Sequence, residues 1–186
     1  SFPTGGTPLR MYEMLADDIR AGRADFHNVM AFHLDEYIGL PADHPQSYRY
    51  YMKTRVLGPL GIPEGRARFL SSETLEAYED EIQKAGGINL QILGIGRNGH
   101  IAFNEPGSAF DSRTRVVPIT ESTRDANSRF FTAPEEVPCE AVTVGLGTIM
   151  NAREVLLLVN GREKAEILAR ALEGLVTPEV PASVLQ

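Results

Sequence analysis

A histidine and a glutamate lie within one glycine-rich segment, and together they have the chemistry of an acid–base catalyst. The segment runs from Gly94 to Gly107 and contains Asn98, His100 and Glu105. A neutral imidazole can accept or donate a proton, and a carboxylate can orient it. The pattern therefore predicts proton transfer at this loop. The alternative is a structural histidine that is bonded to a loop carbonyl.

Two adjacent acids follow the apolar run 29–34 and could supply a second catalytic carboxylate. They are Asp35 and Glu36, and Tyr37 comes directly after them. At the edge of a sheet, one of them could act as a general base. Taken alone, the pair is more typical of a solvated loop in which an aspartate caps a helix.

The segment Pro3–Pro8 is a glycine-rich loop that leads into a predicted helix. Its backbone N–H groups, its two threonine hydroxyls and the helix dipole are typical of a phosphate-binding site. It lacks the Gly-Lys-Ser/Thr of a P-loop, and an ordinary capped helix start is the alternative. Arg124, Arg129 and Lys164 could complement a phosphate, although single basic residues on helices are usually solvated.

The motifs disfavour dinucleotide and metal binding. Gly94-x-Gly96-x-x-Gly99 formally matches the dinucleotide fingerprint, but Pro106 follows too soon for the long helix that this fingerprint must open. The remaining histidines show no metal-ligand spacing, so the sequence predicts no metal site. We interpret these histidines as structural: His27, His33 and His44.

Short apolar strands alternate with amphipathic helices along the chain. The pattern predicts strands at 29–34, 88–95, 141–144 and 155–159. It predicts helices that start at Pro8, after Thr7 as N-cap, and at 47–57, 74–85 and 162–172. Such alternation predicts an α/β fold with a mainly parallel sheet, in which ligands bind beyond the carboxyl ends of the strands. The loops 3–8, 35–39 and 94–107 would then share one edge.

The bulk properties are those of an ordinary globular protein. The 186 residues most simply form a single domain, 1–186. The net charge of −7 argues against nucleic acid or an anionic membrane as a partner, and no apolar run approaches the roughly 20 residues of a membrane span. The single cysteine, Cys139, excludes an intrachain disulfide and suits a reducing cytoplasm.

The order and content of these motifs resemble the glucosamine-6-phosphate deaminase family. The matching segments are 3–8, 34–41, 94–106, 112–115, 126–131 and 146–150. The resemblance implies a Rossmann-like three-layer α/β fold and a reaction without cofactor or metal. The partner would be a small-molecule amino-sugar phosphate. Glucosamine 6-phosphate and water would become fructose 6-phosphate and ammonium, formally a hydrolysis with an isomerase-type mechanism in amino-sugar catabolism.

The resemblance also implies roles for individual residues. His100 would assist ring opening, tuned by Glu105 and Asn98, and Asp35 would move a proton from C2 to C1. The residues that would hold the phosphate are Thr4, Gly5, Gly6, Thr7, Arg129 and Lys164. Related enzymes occur as monomers and as hexamers, so a homo-oligomer is compatible with the resemblance.

The chain departs from the family pattern in three respects. Position 98 is Asn where the best-known members carry Asp. An amide can still accept a hydrogen bond from the imidazole, but it brings no charge to stabilise imidazolium. In the family's activator site for N-acetylglucosamine 6-phosphate, Ser108 and Arg115 match whereas Ala109 and Val117 do not, so we expect little or no activation. The chain is also shorter at both ends, and we expect a truncated fold without the strand before the phosphate loop and without the final strand and helices.

Three alternatives stay open at this point. 6-Phosphogluconolactonase shares the fold and a similar glycine-rich loop, but Glu105 and the Asp35-Glu36-Tyr37 pattern favour the deaminase. Galactosamine 6-phosphate, as substrate, differs at one hydroxyl only. A sugar-phosphate sensor domain would need the phosphate loop, but not Asp35, His100 and Glu105 together.

Overall fold

Parallel strands form the central sheet of the computed structural model, which describes residues 1–186. The strands of the chain are β1 (Ala31–Phe32), β2 (Asp35–Tyr37), β3 (Ala67–Arg68), β4 (Leu90–Gly94), β5 (Arg115–Pro118), β6 (Glu140–Thr143) and β7 (Glu154–Leu158). β1 pairs in parallel with β3, and β4 pairs in parallel with β7. The fold is therefore α/β with parallel sheets, as the sequence predicts.

The first two residues join the two parallel pairs into one sheet. Phe2 forms a parallel bridge with His33, and its N–H donates to the carbonyl of Phe32. On the other side, the amino group of Ser1 donates to the carbonyl of Leu90 at 2.7 Å, and the N–H of Ile92 donates to the carbonyl of Ser1. The first two residues thus take the strand position that directly precedes the glycine-rich loop 3–8.

Helices cover both faces of this sheet. The α-helices are α1 (Leu9–Arg20), α2 (Tyr48–Tyr51), α3 (Gly58–Leu60), α4 (Leu75–Lys84), α5 (Glu121–Ser128), α6 (Leu146–Met150) and α7 (Ala165–Glu173). Short 3₁₀ helices lie at Glu64–Arg66, Pro134–Glu136, Arg162–Lys164 and Pro181–Leu185. None of the helices combines the length and the apolarity that are needed to cross a bilayer.

Two buried clusters show the three layers directly. Successive residues of a strand point to opposite faces. Accordingly, Ala31 and Ile92 pack into the cluster formed with α1, α2 and α3, whereas their neighbours Phe32 and Leu93 pack into the cluster formed with α4 and α7. The sheet is therefore a middle layer between two helical layers.

A second, antiparallel sheet was not expected from the sequence. β6 is its central strand and pairs with β2 on one side and β5 on the other. The expectation of a loop at 35–39 was therefore wrong for residues 35–37, which form β2. Tyr37 of this strand packs with Phe103 and Val117 in a third, smaller cluster.

The helix predicted at 47–57 is longer and partly irregular. α2 continues through a π-helical segment, Met52–Leu57, into α3. Pro59 lies in α3 and has no N–H, so a regular hydrogen bond is missing near the end of this helix. The wider turns of the π-helical segment precede that position.

Candidate functional site

A cavity of about 970 Å³ lies at the carboxyl ends of the parallel strands. All three loops predicted to share an edge contribute to its wall. The predicted site residues that line it are Thr4, Gly5, Gly6, Thr7, Asp35, Asn98, His100, Arg129 and Lys164. Glu105 does not line the cavity and lies behind His100 and Asn98.

The glycine-rich loop presents free hydrogen-bond donors at one end of the cavity. The backbone N–H groups of Thr4, Gly5, Gly6 and Thr7 have no hydrogen-bond partner within the chain. Gly5 has a φ of +87°, which suits glycine and lets the loop turn sharply. Such a row of N–H groups before a helix is well placed to bind an anion.

The start of α1 differs from the prediction of a Thr7 cap. Pro8 occupies the N-cap position, and no side chain caps the helix. The hydroxyl of Thr7 instead donates to Oδ1 of Asn160 at 3.1 Å. The first turn of α1 therefore keeps its positive dipole end available to a ligand.

Three basic side chains surround the same end of the cavity. Arg97, Arg129 and Lys164 all line it. Burial lowers the pKa of Lys164, and the nearby positive charges of Arg97 and Arg129 lower it further. Its Nζ donates to the carbonyl of Ile95 at 2.7 Å. This end of the cavity therefore combines free N–H groups with concentrated positive charge.

His100, Glu105 and Asn98 form one hydrogen-bonded group. Nδ1 of His100 lies 3.5 Å from Oε2 of Glu105, and Nδ2 of Asn98 donates to the same oxygen at 2.6 Å. Oδ1 of Asn98 accepts from the backbone N–H of His100 at 3.2 Å. The expected hydrogen bond from the imidazole to Asn98 is therefore absent, because the amide oxygen is used by the backbone and Glu105 faces the ring.

Glu105 is a carboxylate over the whole working range of pH. Burial by itself raises its pKa, but the hydrogen bond and charge of His100 and the smaller contributions of hydrogen bonds to Thr123 and Asn98 outweigh burial and lower the pKa to about 2. A fixed negative charge beside an imidazole holds the orientation of the ring.

The glycines of this loop make room for its own side chains and do not open a helix. A Cβ at Gly96 would overlap the imidazole of His100, so the ring packs directly on the backbone of residue 96. No helix follows Gly99 before residue 107. The dinucleotide fingerprint is thus a formal match only, since its phosphate-binding helix is missing.

A buried asparagine anchors the turn that carries Glu105. The side chain of Asn104 is fully buried and donates to the carbonyls of Ile101 and Val144, at 3.0 and 2.8 Å. Its oxygen accepts from Arg115 at 2.9 Å. Ala102, inside the turn, has a left-handed φ of +51°, a strained conformation for a residue with a side chain. These contacts hold the loop in one shape.

Asp35 faces the cavity from β2 with a raised proton affinity. Burial raises its pKa to about 8, and the adjacent charge of Glu36 adds to this effect. A carboxyl group with a pKa near the working pH can both take up and release a proton. The interpretation of Asp35 as a solvated helix cap is wrong, because the side chain is buried.

Glu36 is the acid that caps a helix. One of its carboxylate oxygens accepts from the N–H groups of Tyr37 and Tyr48, and the other accepts from the hydroxyl of Ser47 and the N–H of Arg49. The three hydrogen bonds from residues 47–49 tie β2 to the start of α2. They also place Tyr48 in the cavity wall next to Asp35.

Sequence reasoning missed three residues of this site. Arg97 was overlooked because it lies within the glycine-rich motif. Tyr48 lies in the cavity wall, and Oγ1 of Thr123 lies 3.4 Å from Nδ1 of His100. The position of Arg97 between two glycines after a strand was a usable signal. Nothing in the sequence marks Tyr48 or Thr123. The chain contains no cluster of three His, Cys, Asp or Glu side chains that could hold a metal ion.

Comparisons with known proteins agree with this geometry. The sequence profile of the glucosamine-6-phosphate isomerases/6-phosphogluconolactonase family matches residues 2–186. The chain belongs to this family. A glucosamine-6-phosphate deaminase of Rhodopirellula baltica is 50% identical over 98% of the chain and 75% of the relative. A second one, of a Thermoanaerobacter species, is 50% identical over 98% of the chain and 74% of the relative.

Solved structures of family members have the same fold. The structure of a monomeric glucosamine-6-phosphate deaminase superposes with a TM-score of 0.93 at 40% identity, over 98% of this chain and 78% of that one. The 6-phosphogluconolactonase of Thermotoga maritima superposes with a TM-score of 0.72 at 26% identity, over 95% and 76% of the two chains. Among these family members, the deaminase is thus more similar than the lactonase in both sequence and structure.

Proposed function

We propose that this protein converts glucosamine 6-phosphate and water into fructose 6-phosphate and ammonium. The observation that carries the proposal is the division of the lining of one cavity into two sets of groups. One set is the free N–H groups and basic side chains, and the other is Asp35 and His100, with Glu105 behind the imidazole. A sugar phosphate has the same division, with an anion at C6 and the reacting atoms at C1 and C2.

Phosphate binding at the anion end would orient the sugar. The N–H groups of residues 4–7 would donate to the phosphate oxygens, and Arg129 and Lys164 would neutralise its charge. Release of Lys164 from the carbonyl of Ile95 would supply a further donor. The sugar ring would then extend towards His100.

His100 would open the ring. Its imidazole would take the proton of the C1 hydroxyl and return a proton to the ring oxygen as the C1–O5 bond breaks. The charge of Glu105 would stabilise the protonated imidazole during this step, since the carboxylate faces Nδ1. Asn98 would hold that carboxylate in place through its hydrogen bond.

Asp35 would carry the isomerisation. In the open-chain sugar its carboxylate would remove the proton from C2 and deliver it to C1. The amino group would lose a proton and the carbonyl oxygen at C1 would gain one, so that a hydroxyl forms at C1 and an imine at C2. Water would add to C2, and the nitrogen would leave as ammonium. Hydrolysis of a C–N bond is then the net result, although the proton transfer is that of an isomerase. The raised pKa of Asp35 matches a base that must hold and then return a proton.

A coupled assay tests this function. Ammonium and fructose 6-phosphate should appear in equal amounts from glucosamine 6-phosphate. Asp35→Asn and His100→Gln should abolish turnover, whereas His27→Gln, at an exposed position, should retain it. Galactosamine 6-phosphate and 6-phosphogluconolactone serve as rival substrates. Faster hydrolysis of the lactone, or sugar-phosphate binding without turnover, would refute the proposal. A cytoplasmic location and the absence of cofactor, nucleic-acid and membrane partners belong to the same proposal.

A further inference from the structure

Two tyrosine hydroxyls hold the glycine-rich loop from the side opposite to the cavity. The hydroxyl of Tyr12 in α1 donates to the carbonyl of Pro3 at 2.7 Å, and the hydroxyl of Tyr51 in α2 donates to the carbonyl of Gly5 at 2.7 Å. Neither tyrosine lines the cavity, whereas Pro3 and Gly5 do. The two phenols therefore contact the loop from behind.

Because the peptide bond is planar, these contacts with carbonyl groups also fix the direction of the N–H groups that follow them. In a trans peptide the C=O of one residue and the N–H of the next point in opposite directions, and this chain has no cis peptide. Since the carbonyl of Pro3 points to Tyr12, the N–H of Thr4 points away from it. In the same way, the N–H of Gly6 points away from Tyr51.

The loop has few other constraints on its shape. A Cβ at Gly5 or at Gly6 would meet nothing within 4 Å, so no neighbouring atoms pack against these residues there. Both glycines are exposed, and the φ of +87° at Gly5 is not specified by a side chain. Without the tyrosine hydroxyls, the two peptide planes could rotate and turn their N–H groups out of the cavity.

We propose that Tyr12 and Tyr51 are positioning residues that aim the N–H groups of Thr4 and Gly6 at the phosphate of the substrate. The inference rests on the proposed function for the identity of the sugar. Binding of a phosphate anion by the loop, however, does not depend on turnover. Burial raises the pKa of both phenols, that of Tyr51 to about 12. Both hydroxyls therefore stay protonated and remain donors at every working pH.

Tyrosine-to-phenylalanine variants test this proposal with inorganic phosphate as the probe. Tyr51→Phe and Tyr12→Phe remove only the hydroxyl. Tyr50→Phe is the matched control, because Tyr50 is 39% exposed and its hydroxyl makes no hydrogen bond. Loss of one hydrogen bond that orients a donor should weaken phosphate binding, measured by calorimetry, by about fivefold to tenfold. The KM for glucosamine 6-phosphate should rise by a similar factor while kcat changes little.

The results separate positioning from a merely structural role. Tyr12 is buried, so thermal unfolding of Tyr12→Phe is recorded and binding is measured well below its transition. Tyr51 is less buried, so Tyr51→Phe should fold. If Tyr12→Phe fails to fold, Tyr51→Phe alone decides the test. Unchanged phosphate binding by Tyr51→Phe would overturn the proposal, and so would an equal loss in Tyr50→Phe. If the wild type releases no ammonium, the proposed function fails, and the calorimetric comparison still decides this inference.

Discussion

Replacement of Asn98 by Asp should move the acidic limb of the pH profile to higher pH. Nδ2 of Asn98 donates to Oε2 of Glu105 at 2.6 Å, and this bond helps to hold the pKa of Glu105 at about 2. Asp is nearly isosteric with Asn, so the loop should keep its shape. The donor, however, would be replaced by a second carboxylate.

Two contributions set the size of the change in the pKa of Glu105. A hydrogen bond to a charged group contributes about 1.5–3 kcal/mol, so its loss alone raises the pKa of Glu105 to about 3–4. Two carboxylates about 4 Å apart repel by about a further 4 kcal/mol at an effective dielectric constant of 20. The pair at 98 and 105 would therefore share one proton and lose it only at about pH 6–7, with an apparent pKa that belongs to both groups.

The assay is ammonium release from glucosamine 6-phosphate between pH 4 and 9. With the wild type, Glu105 stays ionised across this range, so its protonation contributes nothing to the acidic limb of kcat/KM. In Asn98→Asp the limb should lie about one pH unit or more higher. Asn89→Asp adds the same charge at an exposed position and should leave the profile unchanged. An acidic limb in Asn98→Asp that coincides with that of the wild type would refute this account of Glu105.

Four further outcomes follow from the same structure. Asp35→Asn should lose activity and gain thermal stability. The gain should grow between pH 4 and 9, because the folded pKa of about 8 lies above the ordinary 3.8 and ionisation of the wild-type carboxyl opposes folding as the pH rises; a constant difference in Tm would contradict this. Burial lowers the pKa of His33 to about 3, and both of its ring nitrogens lack partners. Stability should therefore fall as the pH drops below about 6.5, and His33→Phe should flatten that fall in urea unfolding; an equally steep fall in the variant would disprove it. Arg97→Ala should raise the KM several-fold with little effect on kcat, and no change in KM would exclude Arg97 from the anion end. N-acetylglucosamine 6-phosphate should leave the kinetics hyperbolic, because Val117, which does not match the family's activator site, is apolar and buried; sigmoidal kinetics relieved by this sugar would show the opposite.

The elements with a clear hydrophobic period were predictable from the sequence. The strand predicted at 88–95 is β4, and the helix predicted at 74–85 is α4, each within two residues at either end. The apolar side chains that set these patterns are also the ones that pack between the layers. The shared position of the three loops was predictable in the same way, since the carboxyl ends of parallel strands all lie at one edge of the sheet.

The polar elements were not predictable in the same way. The residues of β2 read as a loop because Asp35 and Glu36 are charged, and a local pattern does not reveal that Glu36 finds its donors at residues 47–49. The pairing of β2 with β6 joins residues about a hundred positions apart. Likewise, the hydrogen bond between Thr7 and Asn160 replaces the local cap that the sequence favours. In each case a distant contact outweighs the local preference.

The three hydrogen bonds between Glu36 and residues 47–49 link two properties that could otherwise change separately. The same negative charge completes the start of α2 and raises the pKa of Asp35. A substitution at position 36 that lowers the proton affinity of Asp35 therefore also takes an acceptor away from the N–H groups of Tyr48 and Arg49 at the start of α2. Adaptation of such an enzyme to a more acidic or more alkaline environment would be constrained at this position. Such adaptation would have to occur by substitution of other neighbours of Asp35 that have no role in folding.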